Sequence, residues 1–268
     1  WPDLYRDLHT FRITGGEPLM SPDTWKVLDY IIDNPNPNKN LSLAINSNLG
    51  IPDKLVDRFI EKIKRITEED KVREFIVFTS CDSVGKQAEY IRDGLDYKRF
   101  QGNVEKIMEQ CPKVNITFMV TYNALSVPNY DKFIKQVYEW KTEFTSPDRY
   151  WPGALLLDTS YLRYPTHQAV KVLPQEFGKN IFQQAQLTEH LAAPLYNHKY
   201  PGYTDVEISK IKRIHDWFKS PESEAELKRR RFSFYHFFTA HDKRRGTDFC
   251  KTYPELADFY HSCKDIKI

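Results

Sequence analysis

No apolar run in this sequence is long enough to cross a bilayer, which excludes a helical membrane span. Cysteine is scarce, at four among 268 residues. Cys81, Cys111, Cys250 and Cys263 form no close pair, so zinc and iron–sulfur ligand spacings are missing from this chain. That usage fits a reduced, cytoplasmic protein. Cys111 shares a helical face with Val104, Ile107 and Met108 and reads as core. Charge of one sign does not accumulate. The net charge is +2, which gives no global pull toward nucleic acid or an anionic membrane. The opening residues Trp1-Pro2-Asp3 carry neither an initiator methionine nor a signal-peptide pattern, so the chain reads as a fragment cut from a longer protein.

What is present supports a substantial core. Hydrophobic residues make up 40% and aromatics 14% of a chain long enough for one large domain or a domain with an appendage. Strand and helix patterns alternate from Phe11 to about Tyr161. Strands are expected at Phe11–Ile13, Leu41–Asn48, Glu74–Asp82, Val114–Asn123 and Ala154–Asp158. Helices are expected after Ser21-Pro22-Asp23, then over Asp53–Ile66, Asn103–Cys111 and Asn129–Trp140. Such alternation predicts a parallel sheet with right-handed helical crossovers.

Strand side chains point alternately to the two faces of a sheet. One face collects Phe11, Ile13, Leu41, Leu43, Ile45, Phe75, Val77, Phe118, Val120, Leu155 and Leu157. The other collects Arg12, Thr14, Ser42, Ala44, Asn46, Asn48, Ser80, Asp82, Asn115, Thr117, Thr121, Asn123 and Asp158. A parallel sheet covered on both sides is apolar on both faces. A polar second face points instead to a barrel, or part of one, with a wet lumen and a site at the C-terminal strand ends. Repetition over five strands favours that reading over strand ends dissolved in solvent.

After Pro165 the pattern changes. Gln168–Leu173 is a candidate short strand closed by Pro174. Helical stretches follow at Gln175–Leu191, Asp205–Phe218, Glu222–His241 and Leu256–Cys263. The division expected is a barrel over 1–165 and a mainly helical extension over 166–268. Lys228-Arg229-Arg230-Arg231 precedes Phe232, Phe234, Tyr235, Phe237 and Phe238. A basic run beside aromatics can bind single-stranded nucleic acid, but a solvated helix face next to core aromatics is the more common use of that pattern.

The first strand runs into Thr14-Gly15-Gly16-Glu17-Pro18. Glycine lets backbone approach a ligand without a Cβ in the way, and Pro18 stiffens the exit. The same residues also suit a plain strand-to-helix turn with a surface acid. Downstream, the strand ends offer Asn46-Ser47-Asn48, Ser80-Cys81-Asp82 and Thr121-Tyr122-Asn123. Hydroxyl and carboxylate pairs suit a ribose diol, an arginine suits a carboxylate, and a glycine turn with Glu17 suits an ammonium.

These motifs resemble the radical S-adenosylmethionine (SAM) superfamily. Thr14-Gly15-Gly16-Glu17-Pro18 matches the family motif for the methionine amino group. Ser80-x-Asp82, with Glu89-Tyr90-Ile91-Arg92-x-Gly94 and the Tyr97/Phe100/Asn103 spacing, resembles a subset of that family. Asp242-x-x-Arg245-x-x-Asp248-Phe249 and Tyr253-Pro254-Glu255-Leu256 resemble, more loosely, the tail of members carrying a twitch (shortened SPASM) region. The resemblance implies an α/β fold of the partial (β/α)6 TIM-like barrel type. It implies a [4Fe–4S] cluster that cleaves SAM reductively, a 5′-deoxyadenosyl radical, and hydrogen abstraction from a peptide or small-molecule substrate. It also implies an electron donor such as flavodoxin or ferredoxin. Carried onto this chain, Thr14, Gly15, Gly16, Glu17 and Pro18 would hold the methionine amino group. Ser80 and Asp82 would sit near the ribose and Arg92 by the methionine carboxylate. Asn123 would touch adenine or ribose, and Asn46 and Asn48 would line the lumen. The family's CxxxCxxC loop and the strand before it are expected upstream of residue 1, so the fragment alone is expected to be inactive. Two other readings stay open: a barrel that binds or scaffolds without a cluster, and a tRNA-modifying factor using the basic tract.

Overall fold

The computed structural model describes residues 1–145, 155–193 and 201–268. Helix α1 (Pro2–Asp7) leads into strand β1 (Thr10–Ile13). Then come α2 (Pro22–Asp33), β2 (Asn38–Asn46), α3 (Asp53–Glu68) and β3 (Val72–Ser80). Two helices, α4 (Gly85–Ile91) and α5 (Tyr97–Gln110), precede β4 (Val114–Tyr122), and α6 (Tyr130–Phe144) precedes β5 (Leu155–Tyr161). The expected start of that last strand, Ala154, lies outside the described residues.

The five strands are all parallel and lie in the order β1-β2-β3-β4-β5. A sequential order with right-handed crossovers puts every connecting helix on the same side of the sheet. Accordingly α2, α3, α5 and α6 pack on one another in chain order and form one layer. Between that layer and the sheet lie Leu41, Leu43, Ile45, Phe75, Val77, Ile116, Phe118, Val120, Leu155 and Leu157, none more than 2% exposed. The helices supply Leu28 and Ile31, Phe59 and Ile63, Phe100 and Val104, and Phe133 and Val137, all fully buried. Each such side chain contributes about 1.5–3 kcal/mol by leaving water.

The opposite face differs from the polar lumen read from the sequence. Arg12, Asn46, Ser80 and Asp158 are there, but Ile76, Phe78, Met119 and Leu156 stand among them, half-buried. Neighbouring strands lie about 4.8 Å apart, so side chains in mid-sheet shield one another even on an uncovered face. Ser42, Ala44, Asn115 and Thr117 on this face are buried rather than wet.

The expected strand over Gln168–Leu173 is absent. Two 3-10 turns, Thr166–Gln168 and Val170–Val172, take its place. Val170, Val172 and Leu173 are nonetheless at most 1% exposed. The apolar alternation serves packing beneath a helix rather than pairing with a sheet edge. The remaining helices are α7 (Gly178–His190), α8 (Asp205–Lys219), α9 (Glu224–Arg245), α10 (Phe249–Thr252) and α11 (Ala257–Ser262). Helix α8 lies against α7 and β5, and α9 covers the two 3-10 turns. Phe234, Phe238, Phe249, Tyr253 and Tyr260 form an aromatic core for the extension, and Tyr90 of α4 joins it.

Candidate functional site

The C-terminal ends of β1–β4 gather most of the expected site residues on one rim. After β1 the chain turns through Gly15 (φ +97°) and Gly16 (φ +53°). A Cβ at either glycine would meet no atom within 4 Å, so the left-handed backbone, not crowding, requires glycine there. Thr14, Gly15 and Gly16 are exposed, whereas Pro18 and Leu19 are buried and anchor the exit in a 3-10 turn. Glu17 joins this turn to the end of β2. One carboxylate oxygen accepts from the Leu19 amide at 3.1 Å and the other from the Asn48 amide at 2.8 Å. A carboxylate has about four acceptor positions, so both oxygens keep room for a further donor.

The segment after β2 is held firmly. Leu49 has φ +52° although its side chain is fully buried. Its amide donates to Ser47 Oγ at 3.1 Å and its carbonyl accepts from Asn103 Nδ2 at 2.7 Å. The Asn48 side chain accepts from the Gly50 amide at 2.7 Å. A leucine in the left-handed region persists where surrounding contacts over-determine it, and such positions cluster at functional sites. Asn103 was legible as part of a spacing, but its role as the clamp on this loop was not.

On the open face, Arg12 lies with its guanidinium 3.8 Å from the centre of the Phe78 ring. Its Nε donates to Asn46 Oδ1 at 2.6 Å and its Nη2 reaches Met119 Sδ at 3.1 Å. Arg12 remains exposed and has no carboxylate partner among the described residues. The guanidinium has five N–H donors, so unused donors face the open side of the sheet next to the glycine turn. Arg12 was readable as a residue of the polar face, yet nothing in the sequence singled it out as a ligand.

The fourth expected group is arranged differently from the expectation. β3 ends at Ser80, so Asp82 lies past the strand and is 2% exposed. Its Oδ1 accepts from the Thr121 amide at 2.7 Å and its Oδ2 pairs with Arg92 at 2.8 Å. Burial pushes its carboxyl above the ordinary carboxylate value, against the opposing pull of Arg92 and the Thr121 amide. Two residues assigned to separate ends of a ligand therefore form one ion pair across β3, α4 and β4. Arg92 keeps a buried Nε without a partner. Ser80 is half-buried on the open face, in register with Met119. Asn123 is spent on its own loop: Nδ2 donates to the Thr121 carbonyl at 2.9 Å and Oδ1 accepts from the Leu125 amide at 2.9 Å. It nevertheless lines a cavity of about 130 Å³ shared with Tyr90, Gln168, Phe237 and His241.

The C-terminal motifs dock the tail beside this rim. Asp242 accepts from the Tyr90 hydroxyl at 2.8 Å, the Thr247 hydroxyl at 2.6 Å and the Phe249 amide at 2.7 Å. Asp248 caps α10 through the Lys251 amide at 2.9 Å. The Tyr253 hydroxyl donates to the Gln87 carbonyl at 2.9 Å, and Glu255 accepts from Asn129 Nδ2 at 2.6 Å. In the basic run, Lys228, Arg229 and Arg230 pair with Glu224, Glu226 and Glu222, and Arg231 donates to the Val172 carbonyl at 3.0 Å.

For a metal cluster the residues present do not fit. Among the described residues, no three His, Cys, Asp or Glu side chains converge as a metal site. Burial pushes the Cys81 thiol up to about 12 and the Cys263 thiol up to about 11, away from the thiolate form that binds iron. A larger cleft of about 420 Å³ lies between α6 and α7, lined by Asp131, Lys135, Asn180 and His190. Compared with protein-family models, with curated proteins and with solved structures, the chain matches none.

Proposed function

We propose that this chain is the SAM-binding part of a radical SAM enzyme, built on a partial (β/α)6 barrel. One observation carries the reading. An open, left-handed glycine turn and a carboxylate with spare acceptor positions sit at the end of the strand that also presents Arg12 on the uncovered face. That combination suits the ammonium and carboxylate of a free amino-acid end, since Thr14–Pro18 supply acceptors and Arg12 supplies donors. Arg12 is the stronger carboxylate candidate. Arg92 already serves Asp82, and an incoming carboxylate there would meet a like charge. Asn46 holds Arg12 in place, Ser80 lies farther along the same face, and Asn48 backs Glu17 through its amide. Asp82 acts through Arg92 and Thr121 as a positioning residue for the rim.

SAM and a [4Fe–4S] cluster, when bound, supply reductive carbon–sulfur cleavage and hydrogen abstraction. The chain's own residues bind and orient one end of SAM. The reading assigns the cluster ligands to none of Cys81, Cys111, Cys250 and Cys263. A peptide or small molecule is the favoured substrate class.

Calorimetric titration of SAM into the chain tests the reading. Arg12→Gln is expected to weaken binding at least about tenfold, the loss typical of a charge-assisted contact. Binding that Arg12→Gln leaves unchanged, or none at all, overturns the assignment. A second reading is a barrel that binds or scaffolds without a cluster. A reading frame that extends upstream without a cysteine triad would decide for it.

A further inference from the structure

Where β5 ends, Thr159, Ser160, Tyr161 and Arg163 face Lys210 and Arg213 of α8 across an open cleft of about 260 Å³. None of these residues belongs to the glycine-turn rim. Lys210, Arg213 and Trp217 are three and four residues apart, so they form one stripe along α8. Glu207, one turn earlier, accepts from the Leu157 amide of β5 at 2.7 Å and fixes that stripe against the strand.

The charges in the cleft do not balance. Lys210 is paired with Asp158. Arg213 is exposed and has no ion-pair partner among the described residues. Arg163 is exposed too, and its Nη2 donates to the Tyr161 hydroxyl at 2.6 Å. Its guanidinium lies 5.0 Å from the Tyr161 ring, whose ring centre is 4.6 Å from that of Trp217. Trp217, Tyr161 and Arg163 thus form a stacked wall that restrains one guanidinium beside a second. Two uncompensated cations over one concave surface focus a positive potential and attract an anion.

We infer that this cleft binds the phosphate group of a phosphorylated small molecule. Two guanidiniums, an ammonium and the Ser160 hydroxyl supply more donors than the two oxygens of one carboxylate accept. A phosphate monoester has three peripheral oxygens and close to two negative charges near neutral pH. Trp217 stacks on Tyr161, and the Tyr161 hydroxyl accepts from Arg163, so the tyrosine holds the arginine at the cleft. The inference is independent of whether SAM binds at the glycine turn.

The test is calorimetric titration of inorganic phosphate, pyrophosphate and succinate into the chain at matched ionic strength, repeated with Arg163→Gln/Arg213→Gln. Saturable one-to-one phosphate or pyrophosphate binding is expected, weakened at least about tenfold in the double variant, as for loss of charge-assisted hydrogen bonds. No saturable binding, binding that the double variant leaves unchanged, or tighter binding of succinate than of phosphate overturns the inference. Thermal melting followed by circular dichroism checks the fold. Should the double variant not fold, Arg213→Gln alone, at an exposed position, carries the same comparison.

Discussion

Substituting Glu17 separates the two tasks that the structure places on one side chain. Its carboxylate accepts from the Leu19 and Asn48 amides and so ties the glycine turn to the loop after β2. Glu17→Ala removes both acceptors. A hydrogen bond to a charged group contributes about 1.5–3 kcal/mol. Leu19 is fully buried, so its residue leaves the amide poorly placed to find water, whereas Asn48 is exposed and its amide is readily hydrated. The expected loss is therefore about 2–4 kcal/mol, below the sum of two full contributions. Glu17→Gln keeps one oxygen acceptor and sets an amide NH2 against the other donor, for an expected loss of about 1–2 kcal/mol. Urea denaturation followed by tryptophan fluorescence measures both as shifts in midpoint at constant slope. SAM titration of the folded Gln variant then isolates the charge, and affinity is expected to fall at least about tenfold. A Glu17→Ala loss below about 0.5 kcal/mol, the scatter of ordinary surface substitutions, would refute the structural role. Unchanged SAM affinity in Glu17→Gln would refute the ammonium role.

Other perturbations probe what holds the rim and the extension together. Glu207 and Lys141 are 1% and 4% exposed and pair at 3.0 Å, so Glu207→Ala strands a buried ammonium and is expected to cost about 3–5 kcal/mol. Adding Lys141→Met should recover only the part of that loss due to the stranded ammonium in the same urea titration, because the Leu157 and Thr204 amides still lack their acceptor. Leu49→Gly relieves a left-handed leucine, worth about 1–2 kcal/mol, but deletes a fully buried side chain worth about 2–5 kcal/mol, so the variant is expected to be less stable. Ellman titration of the native protein should modify Cys250 ahead of Cys81, Cys111 and Cys263, which are at most 1% exposed and should react after unfolding. His167, His215 and His241 are held below the ordinary value of 6.5, with burial the largest cause in each. The unfolded chain then takes up protons that the native state resists, so stability is expected to fall as pH drops below 6.5. His241→Gln should flatten that dependence, and a stability that rises on acidification would contradict the sign.

The alternation of strand and helix was legible because its periods are local. Phe75, Val77, Phe118 and Val120 had to share a face whatever the sheet order, and all four are buried against the helices. Element ends were less legible. β2 begins at Asn38, and that residue, whose composition suggests a loop, is buried because its side chain donates to the Tyr5 and Leu8 carbonyls at 2.8 and 2.7 Å. α5 begins at Tyr97, capped by Asp96 through the Arg99 amide at 3.0 Å, well before Asn103, where the apolar spacing announced it. Val170-Lys171-Val172 has strand composition but forms a buried 3-10 turn packed against α9, so tertiary packing overrode propensity.

The sequence by itself determined which residue types reach the strand ends: two glycines and Glu17 after the first strand, Ser80 and Asp82 after the third, Asn123 after the fourth. It determined that one sheet face is apolar and that a helical extension follows. Only the tertiary structure decided their partners. Asp82 meets Arg92, Glu17 meets two amides, Arg12 crosses to Asn46 and Met119, and Arg163 lines one cleft with Lys210 and Arg213. The reason is range. Periodicity fixes where a side chain points along its own element, whereas the group it meets depends on strand register and on helices that arrive from distant parts of the chain.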